Sequence, residues 1–476
     1  MPNEYPPGAL DGAPAPDDGL ADELRRAGVD VDTSAAARAE HGRDWWPLTI
    51  RDVHAGRVPH WPGLVARPTT SAQVSAVLTG ARARGVAVTA QGGRSGVLGG
   101  AVAPDGGVAL DMTAMNAVVA IDEVSGLVRV EAGCFGPELE AATRSRGWTV
   151  GHLPQSFELS SVGGWISCRG AGQYSNRYGK IEDLVRGLTV VLANGDAITL
   201  GGRAPRRAVG PDLVQLFVGS EGTLGVITEA TLVMRRAPRH EERRAVAFAS
   251  FSEGLDACRR ILQRGARPAV LRLYDEAESR RHFDVAGCAL IVLDEGDETL
   301  CVATARVVDD ECEGAARLDV ATVATWLAHR NDVGALAALW ESGICVDTLE
   351  VSGAWADLPA MSDHVLAALR AMPATLAASV HQSHAYDDGA CLYFTFAGRP
   401  DGDPTEYYRR AWDVATREVL RAGGALSHHH GVGRSRARFV ADALGGAYAL
   451  LASLKRVVDP DDLLNPGVLG LGGEPW

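Results

Sequence analysis

Three consecutive histidines sit in Ser427-His428-His429-His430-Gly431-Val432-Gly433, the longest run of histidines in the chain. Imidazoles titrate near neutrality, which suits proton transfer or the binding of an anion. Neighbours on a helix or strand cannot all face one point, so at most two of the three converge on one site. Zinc ligation would need partners at suitable spacing, and no HExxH or Cys/His pattern adjoins the run, so no metal is expected. The plain alternative is a surface tract, or one core histidine beside two solvated ones. A second candidate is Tyr393 in the strand-like run Asp388-Gly389-Ala390-Cys391-Leu392-Tyr393-Phe394. Alone, such a tyrosine is more often core packing than catalyst.

Three glycine-bearing stretches could hold a ligand. The first, Gln91-Gly92-Gly93-Arg94-Ser95-Gly96-Val97-Leu98-Gly99-Gly100, follows a strand pattern directly. Closely spaced glycines bare their N–H groups and let the chain approach an anion. The spacing is neither GxGxxG nor a Walker A box, which disfavours a Rossmann NAD site and a nucleotide triphosphatase. A plain glycine loop in a tight fold explains this stretch equally well. The second runs from His152 to Asp183, where Ser156, Ser160, Ser161, Gly163 and Gly164 offer hydroxyls and bare amides to a pyrophosphate or a ring cofactor. A long Ser/Gly loop is the plain alternative, but irregular stretches of this length in compact domains are usually functional or disordered. The third, Gly219-Ser220-Glu221-Gly222-Thr223-Leu224-Gly225, leads into Val226-Ile227-Thr228.

The elements that must position these groups form a mixed α+β chain. Of 55 glycines, 26 lie between Gly85 and Gly225. Strand patterns there cover Val86–Val88, Val108–Met112, Leu127–Ala132 and Leu188–Leu200, the last broken by the hairpin signal Asn194-Gly195. Helical patterns cover Ser71–Arg84 and Gly136–Arg146. The first sixty residues read as a Pro-rich tip and an arm that packs on the main body. Beyond about residue 238 helical patterns dominate; Asp403-Pro404-Thr405-Glu406 starts one helix and Gly423-Gly424 stops it. The expected division is 1–59 tail and arm, 60–238 cofactor domain, and 239–476 substrate or cap domain.

With 476 residues, 46% hydrophobic and 22% charged, the chain is globular and longer than one core usually supports. A net charge of -14 gives no attraction for nucleic acid. No apolar run reaches membrane-spanning length, and the start has no signal-peptide pattern. Eight scattered cysteines fit reduced thiols in a cytoplasmic protein.

Ser160–Trp165, Tyr178–Leu184, GSEGTLGVITEA at 219–230 and SHHHGVG at 427–433 together resemble alkyldihydroxyacetonephosphate synthase and its bacterial relatives, within the vanillyl-alcohol-oxidase (PCMH-type) flavoproteins. The likeness spans most of the chain from Asp44 and thins between about 275 and 345. It implies an α+β, two-subdomain FAD-binding domain followed by an α+β cap. FAD would be met by Gln91, Gly92, Gly93, Arg94, Ser95 and Gly96 of the first loop. Gln155, Ser156, Ser160, Ser161, Gly163, Gly164, Cys168, Arg169, Gly170 and Ala171 would follow from the second. Glu221, Gly222, Thr223, Gly225, Val226 and Ile227 would complete the set. Members with covalent flavin carry histidine where Ser95 stands, so the resemblance implies non-covalent FAD.

The resemblance further implies exchange of acyl for alkyl on a dihydroxyacetone phosphate ester through a flavin N5 adduct, a step of ether lipid synthesis. Tyr393, His428, His429, His430, His152 and Arg272 match its active-site positions. A base near the reacting carbon can remove a proton beside a carbonyl, and an arginine can stabilise the resulting charge. One position departs: the arginine that grips the substrate phosphate falls at Leu336, with Arg330 six residues upstream. The alternative is an FAD-dependent dehydrogenase or oxidase of a 2-hydroxy acid or alcohol, and a flavin-less binding protein is a third reading. The substrate is small or lipid-like; peripheral membrane contact and a homodimer are left open.

Overall fold

The computed structural model describes residue 5 and residues 8–332 and 339–473. Its first sheet grows from the hydrophobic strands Leu64–Arg67, Val108–Asp111 and Val88–Gln91, which run parallel in that order, with Asp30–Asp32 antiparallel at the edge. Helix Ser71–Arg82, capped by the Thr70 side chain, covers it. Leu20 and Leu24 of helix Asp18–Arg26 share one core with Val74, Val77 and Leu78 of that helix and with Val88. The N-terminal arm therefore contributes both a strand and a helix to this layer.

The second sheet is antiparallel: Val118–Asp122, Leu127–Glu131, Val226–Val233, Val185–Val191 and Ala197–Gly201, in spatial order. Its last two strands are the hairpin expected at Asn194-Gly195, and Gly195 takes the left-handed conformation (φ +90°) that the turn requires.

Beyond residue 238 the helical expectation gives way. A seven-stranded antiparallel sheet forms the centre, in the order Ala316–Arg317, His240–Phe248, Cys288–Gly296, Val270–Tyr274, Thr375–Ala385, Gly389–Gly398 and Cys345–Ala354. In Cys288–Gly296, Cys288, Leu290 and Val292 face a core shared with helices Phe251–Gln263, Leu358–Arg370 and Pro404–Arg421. Ile291 and Leu293 face the other way, onto Leu153, Tyr174 and Tyr178 of the glycine-rich half. A strand buried on both faces loses its alternation and reads as a continuous apolar run, as a buried helix would.

Two returns of the chain tie the halves together. Near the C-terminus, Leu464 pairs with Val88, and Asn465 Nδ2 donates to the carbonyls of Gly100 (2.9 Å) and Glu221 (2.7 Å). The first and third glycine stretches are thus fixed to one residue. In the arm, Trp46 Nε1 donates to the Tyr408 hydroxyl, which in turn donates to Asp347 Oδ2 at 2.6 Å.

Candidate active site

Where the halves meet lies a cavity of about 330 Å³. One wall is built from the three glycine stretches, the opposite wall from Val346, Asp347, Thr348, Tyr393, His429 and His430. Sheet register explains that second wall. Tyr274, His381, Tyr393 and Glu350 lie directly opposite one another on four adjacent strands, so their side chains share one face. The His381 ring stands 5.1 Å from Tyr274 and 4.8 Å from Tyr393. The Tyr393 hydroxyl accepts a hydrogen bond from Thr348 Oγ1 at 3.1 Å, and burial pushes its pKa up.

Glu350 organises the histidine loop. It is fully buried, and its Oε1 accepts from the backbone N–H of His428 (3.2 Å), His429 (3.0 Å) and His430 (2.7 Å) and from Ser427 Oγ (2.7 Å). The buried Arg436 guanidinium pairs with Oε2. Burial would raise this carboxyl, but the Arg436 guanidinium outweighs it and holds its pKa well below the usual range. Glu221 grips the far end of the loop, accepting from Val432 N–H (2.6 Å) and Gly433 N–H (2.8 Å). Burial lifts the Glu221 pKa to about 7.

Bent between two carboxylates, the loop sends His429 and His430 to the cavity and turns His428 away to the Tyr386 hydroxyl, 2.9 Å from Nε2. Burial lowers the pKa of all three rings, that of His428 to about 4. They are neutral at physiological pH, able to accept or pass a proton without standing charge. The fold also brings His384 and Cys391 to this cluster: with His428 and His429, their potential ligand atoms lie within 4.8 Å of one another.

His152 lines the same cavity against Trp165, ring centroids 4.7 Å apart, with neither nitrogen hydrogen-bonded among the described residues. Burial lowers its pKa to about 3. Arg272 faces a smaller cavity of about 20 Å³, shared with Gln155, Ala171, Gln173, Ser383, His384, Tyr393 and His429. Its Nη2 lies 2.7 Å from His381 Nε2.

Most residues expected at a cofactor do line the larger cavity: Gln91–Gly96, Gln155, Ser156, Ser160, Ser161, Gly163, Gly164, Cys168, Gly170, Ala171, Glu221, Gly222, Gly225 and Ile227. Three do not. Arg169 points outward and pairs with Glu182; Thr223 is buried with its hydroxyl on the Ser220 carbonyl; Val226 packs into the first sheet's core. Arg94 and Glu221, both non-glycine, hold positive φ (+52° and +49°), conformations that cost energy and cluster at functional loops. Arg330 lines neither cavity; its Nη1 donates to Gln173 Oε1 at 2.9 Å. Leu336 lies outside the described residues.

Residues 62–201 match the FAD binding domain family, and residues 237–469 match the C-terminal domain of FAD linked oxidases. The chain belongs to the FAD-linked oxidoreductases. It is 31% identical to an uncharacterized FAD-linked oxidoreductase of Escherichia coli (strain K12), over 88% of this chain and 91% of that one. It is 29% identical to an alkyldihydroxyacetonephosphate synthase of Dictyostelium discoideum, over 88% and 75%. A solved structure of alkyldihydroxyacetonephosphate synthase superposes with a TM-score of 0.79 at 26% identity, covering 96% of this chain and 88% of that one.

This FAD-linked oxidoreductase has a wall that fits the cofactor. A Cβ added at Gly164, Gly96 or Gly222 would come no closer than 3.4, 3.8 and 3.9 Å to the atoms around it, ordinary van der Waals contact, so close packing does not fill these cavity-lining positions. Bare amides beside serine hydroxyls are the donor set a pyrophosphate needs. The sequence reading missed Glu350, Arg436, His381 and Glu278, and the arm residues Trp45, Pro47 and Ile50 on the cavity wall. Two carboxylates, Asp347 and Glu350, inside the stretch Cys345–Val351, whose other residues but Thr348 are apolar, were the available signal. Among the described residues no helix is long and apolar enough to cross a membrane.

Proposed function

We propose that this FAD-linked oxidoreductase family member carries out an alkyldihydroxyacetonephosphate-synthase-type exchange, with Tyr393, His429 and His430 as its acid–base groups. The reading assigns residues 60–238 to cofactor binding, with the glycine stretches holding FAD non-covalently, and residues 239–476 to the substrate. FAD, when bound, supplies an electron-accepting ring beside the reacting carbon. The chain's own groups take a proton from that carbon and return it. The carbon–oxygen bond to the acyl group breaks and a carboxylate leaves; the oxygen of a fatty alcohol forms the new carbon–oxygen bond and gives its hydroxyl proton to the acid–base groups, with no net exchange of electrons. The observation that carries the proposal is the meeting of a tyrosine and two neutral imidazoles on the wall opposite the glycine loops. Trp45, Pro47, Ile50, Val97 and Trp340 add apolar lining suited to a chain-bearing substrate. Incubation of the FAD-loaded protein with acyl-dihydroxyacetone phosphate and labelled fatty alcohol should give labelled ether and free fatty acid. No ether between pH 6 and 9 would rule the reaction out.

A second reading, oxidation of a 2-hydroxy acid, is favoured by one observation. Among the described residues the cavity walls present two arginines, Arg94 and Arg272, and Arg94 is already paired with Glu40 at 3.0 Å. Bleaching of the flavin absorbance by a 2-hydroxy acid would support it.

A further inference from the structure

The small cavity beside the histidine loop has a layered support. Arg272 and His384 supply its polar groups without a full set of partners: Arg272 Nε and His384 Nε2 are buried and lack hydrogen bonds among the described residues. The His384 side chain is 4% exposed. At about 20 Å³ the space takes roughly one water-sized group, such as a single oxygen.

Behind Arg272 stands His381. An arginine only donates, so His381 Nε2 must accept from Nη2 at 2.7 Å, leaving the ring proton on Nδ1. That proton goes to Glu278 Oε2 at 2.7 Å, and Glu278 Oε1 accepts from Ser379 Oγ at 2.8 Å. Glu278 is almost wholly buried, and His381 is clamped between the rings of Tyr274 and Tyr393. Every rotation of the imidazole is blocked by a ring or a hydrogen bond. The Arg272 fork is therefore held from behind by an acceptor that cannot swing away.

We propose that Glu278 and His381 are positioning residues that fix the Arg272 guanidinium as the wall of a one-oxygen anion site, filled by an anionic oxygen of the substrate. The inference deepens the exchange reading by naming where its substrate's charge sits, and it rests on that reading only for the identity of the ligand. The shared chemistry is an anionic oxygen, from a carboxylate or from a phosphate.

The test titrates the FAD-loaded protein with sodium acetate and, separately, with inorganic phosphate, following the flavin absorption spectrum. A spectral change with either anion supports the site and identifies its oxygen source; no change with either overturns it. Two variants separate positioning from packing. His381→Gln keeps a carbonyl acceptor near the Nε2 position, whereas His381→Asn keeps only a group near Nδ1. At equal FAD content and equal melting temperature, His381→Gln should bind the anion within about threefold of the parent. His381→Asn should bind about tenfold more weakly, as expected for the loss of one charge-assisted hydrogen bond. Equal affinities in the two variants would show that His381 serves packing alone and would overturn the positioning role. Because the readout is anion occupancy and not ether formation, this proposal and the exchange reading fail separately.

Discussion

Glu350→Gln is the sharpest perturbation of the histidine loop. The amide keeps the side-chain volume and can keep an oxygen under the three backbone N–H groups and Ser427, but it removes the charge that faces Arg436. Both partners are fully buried, so the guanidinium is left without its counter-charge. Neutralising one member of a buried pair costs about 3–5 kcal/mol. At roughly 2–4 °C per kcal/mol for large domains, the melting temperature should fall by at least about 6 °C. The sign of the pH dependence follows from the depressed carboxyl. A folded-state pKa below the unfolded value means the stabilisation is complete above the unfolded pKa of about 4.3 and fades as pH falls below it. Parent and variant should therefore differ fully at pH 7 and converge in acid. Replacing both, as Glu350→Gln/Arg436→Leu, removes the orphan charge and should cost less than the two single changes summed. Thermal unfolding followed by fluorescence measures all three. A Glu350→Gln protein melting within about 1 °C of the parent at pH 7 would refute the idea that this pair holds the loop.

Tyr393→Phe should retain FAD and lose about 10²–10⁴-fold in turnover, the usual worth of one acid–base group; full activity would remove Tyr393 from the mechanism. Gly164→Leu places a side chain at a cavity-lining position and should lower FAD content in the purified protein without changing the melting of the apoprotein. His152 is buried with its pKa at about 3, so the unfolded chain binds a proton that the folded chain refuses between about pH 6.5 and 3. Stability should fall with pH across that window. His152→Leu should flatten the decline by about 2 kcal/mol between pH 7 and 5 in urea titrations.

What could be read from the chain divides along physical lines. The glycine stretches were legible because backbone freedom is a local property: Gly195 at a hairpin, or Gly92 in a bare-amide loop, declares itself by type and spacing. The histidine run was visible as chemistry, but its geometry was not. Which two rings face the cavity is set by Glu350, some eighty residues away and two strands from His381 in the register. Strand order and register are non-local, and no spacing within one segment encodes them. The large sheet was misread for a related reason. Burial of Cys288–Leu293 on both faces erases the period-two pattern that would have marked a strand. Glu278 and His381 were invisible as a pair because each, met singly, is an ordinary polar residue.

The placement of positive charge bears most directly on the substrate. Residues 333–338 are Val-Gly-Ala-Leu-Ala-Ala, so the segment where the resemblance implies a phosphate-gripping arginine carries no cation in its sequence. Arg330 is spent on Gln173, whose amide also donates to the Arg330 carbonyl at 3.1 Å. Arg94 stands in the first glycine stretch and is balanced by Glu40. Arg272 is left as the cation next to Tyr393 and His429, held by an imidazole and not directly by a carboxylate. A phosphate dianion would need more than this one fork, with its remaining charge met by neutral donors such as Gln155 and Ser383. A carboxylate would be matched by Arg272 alone. The head group of the substrate is therefore the point on which the exchange and oxidation readings part, and the relative response to acetate and phosphate at Arg272 decides between them before any turnover is measured.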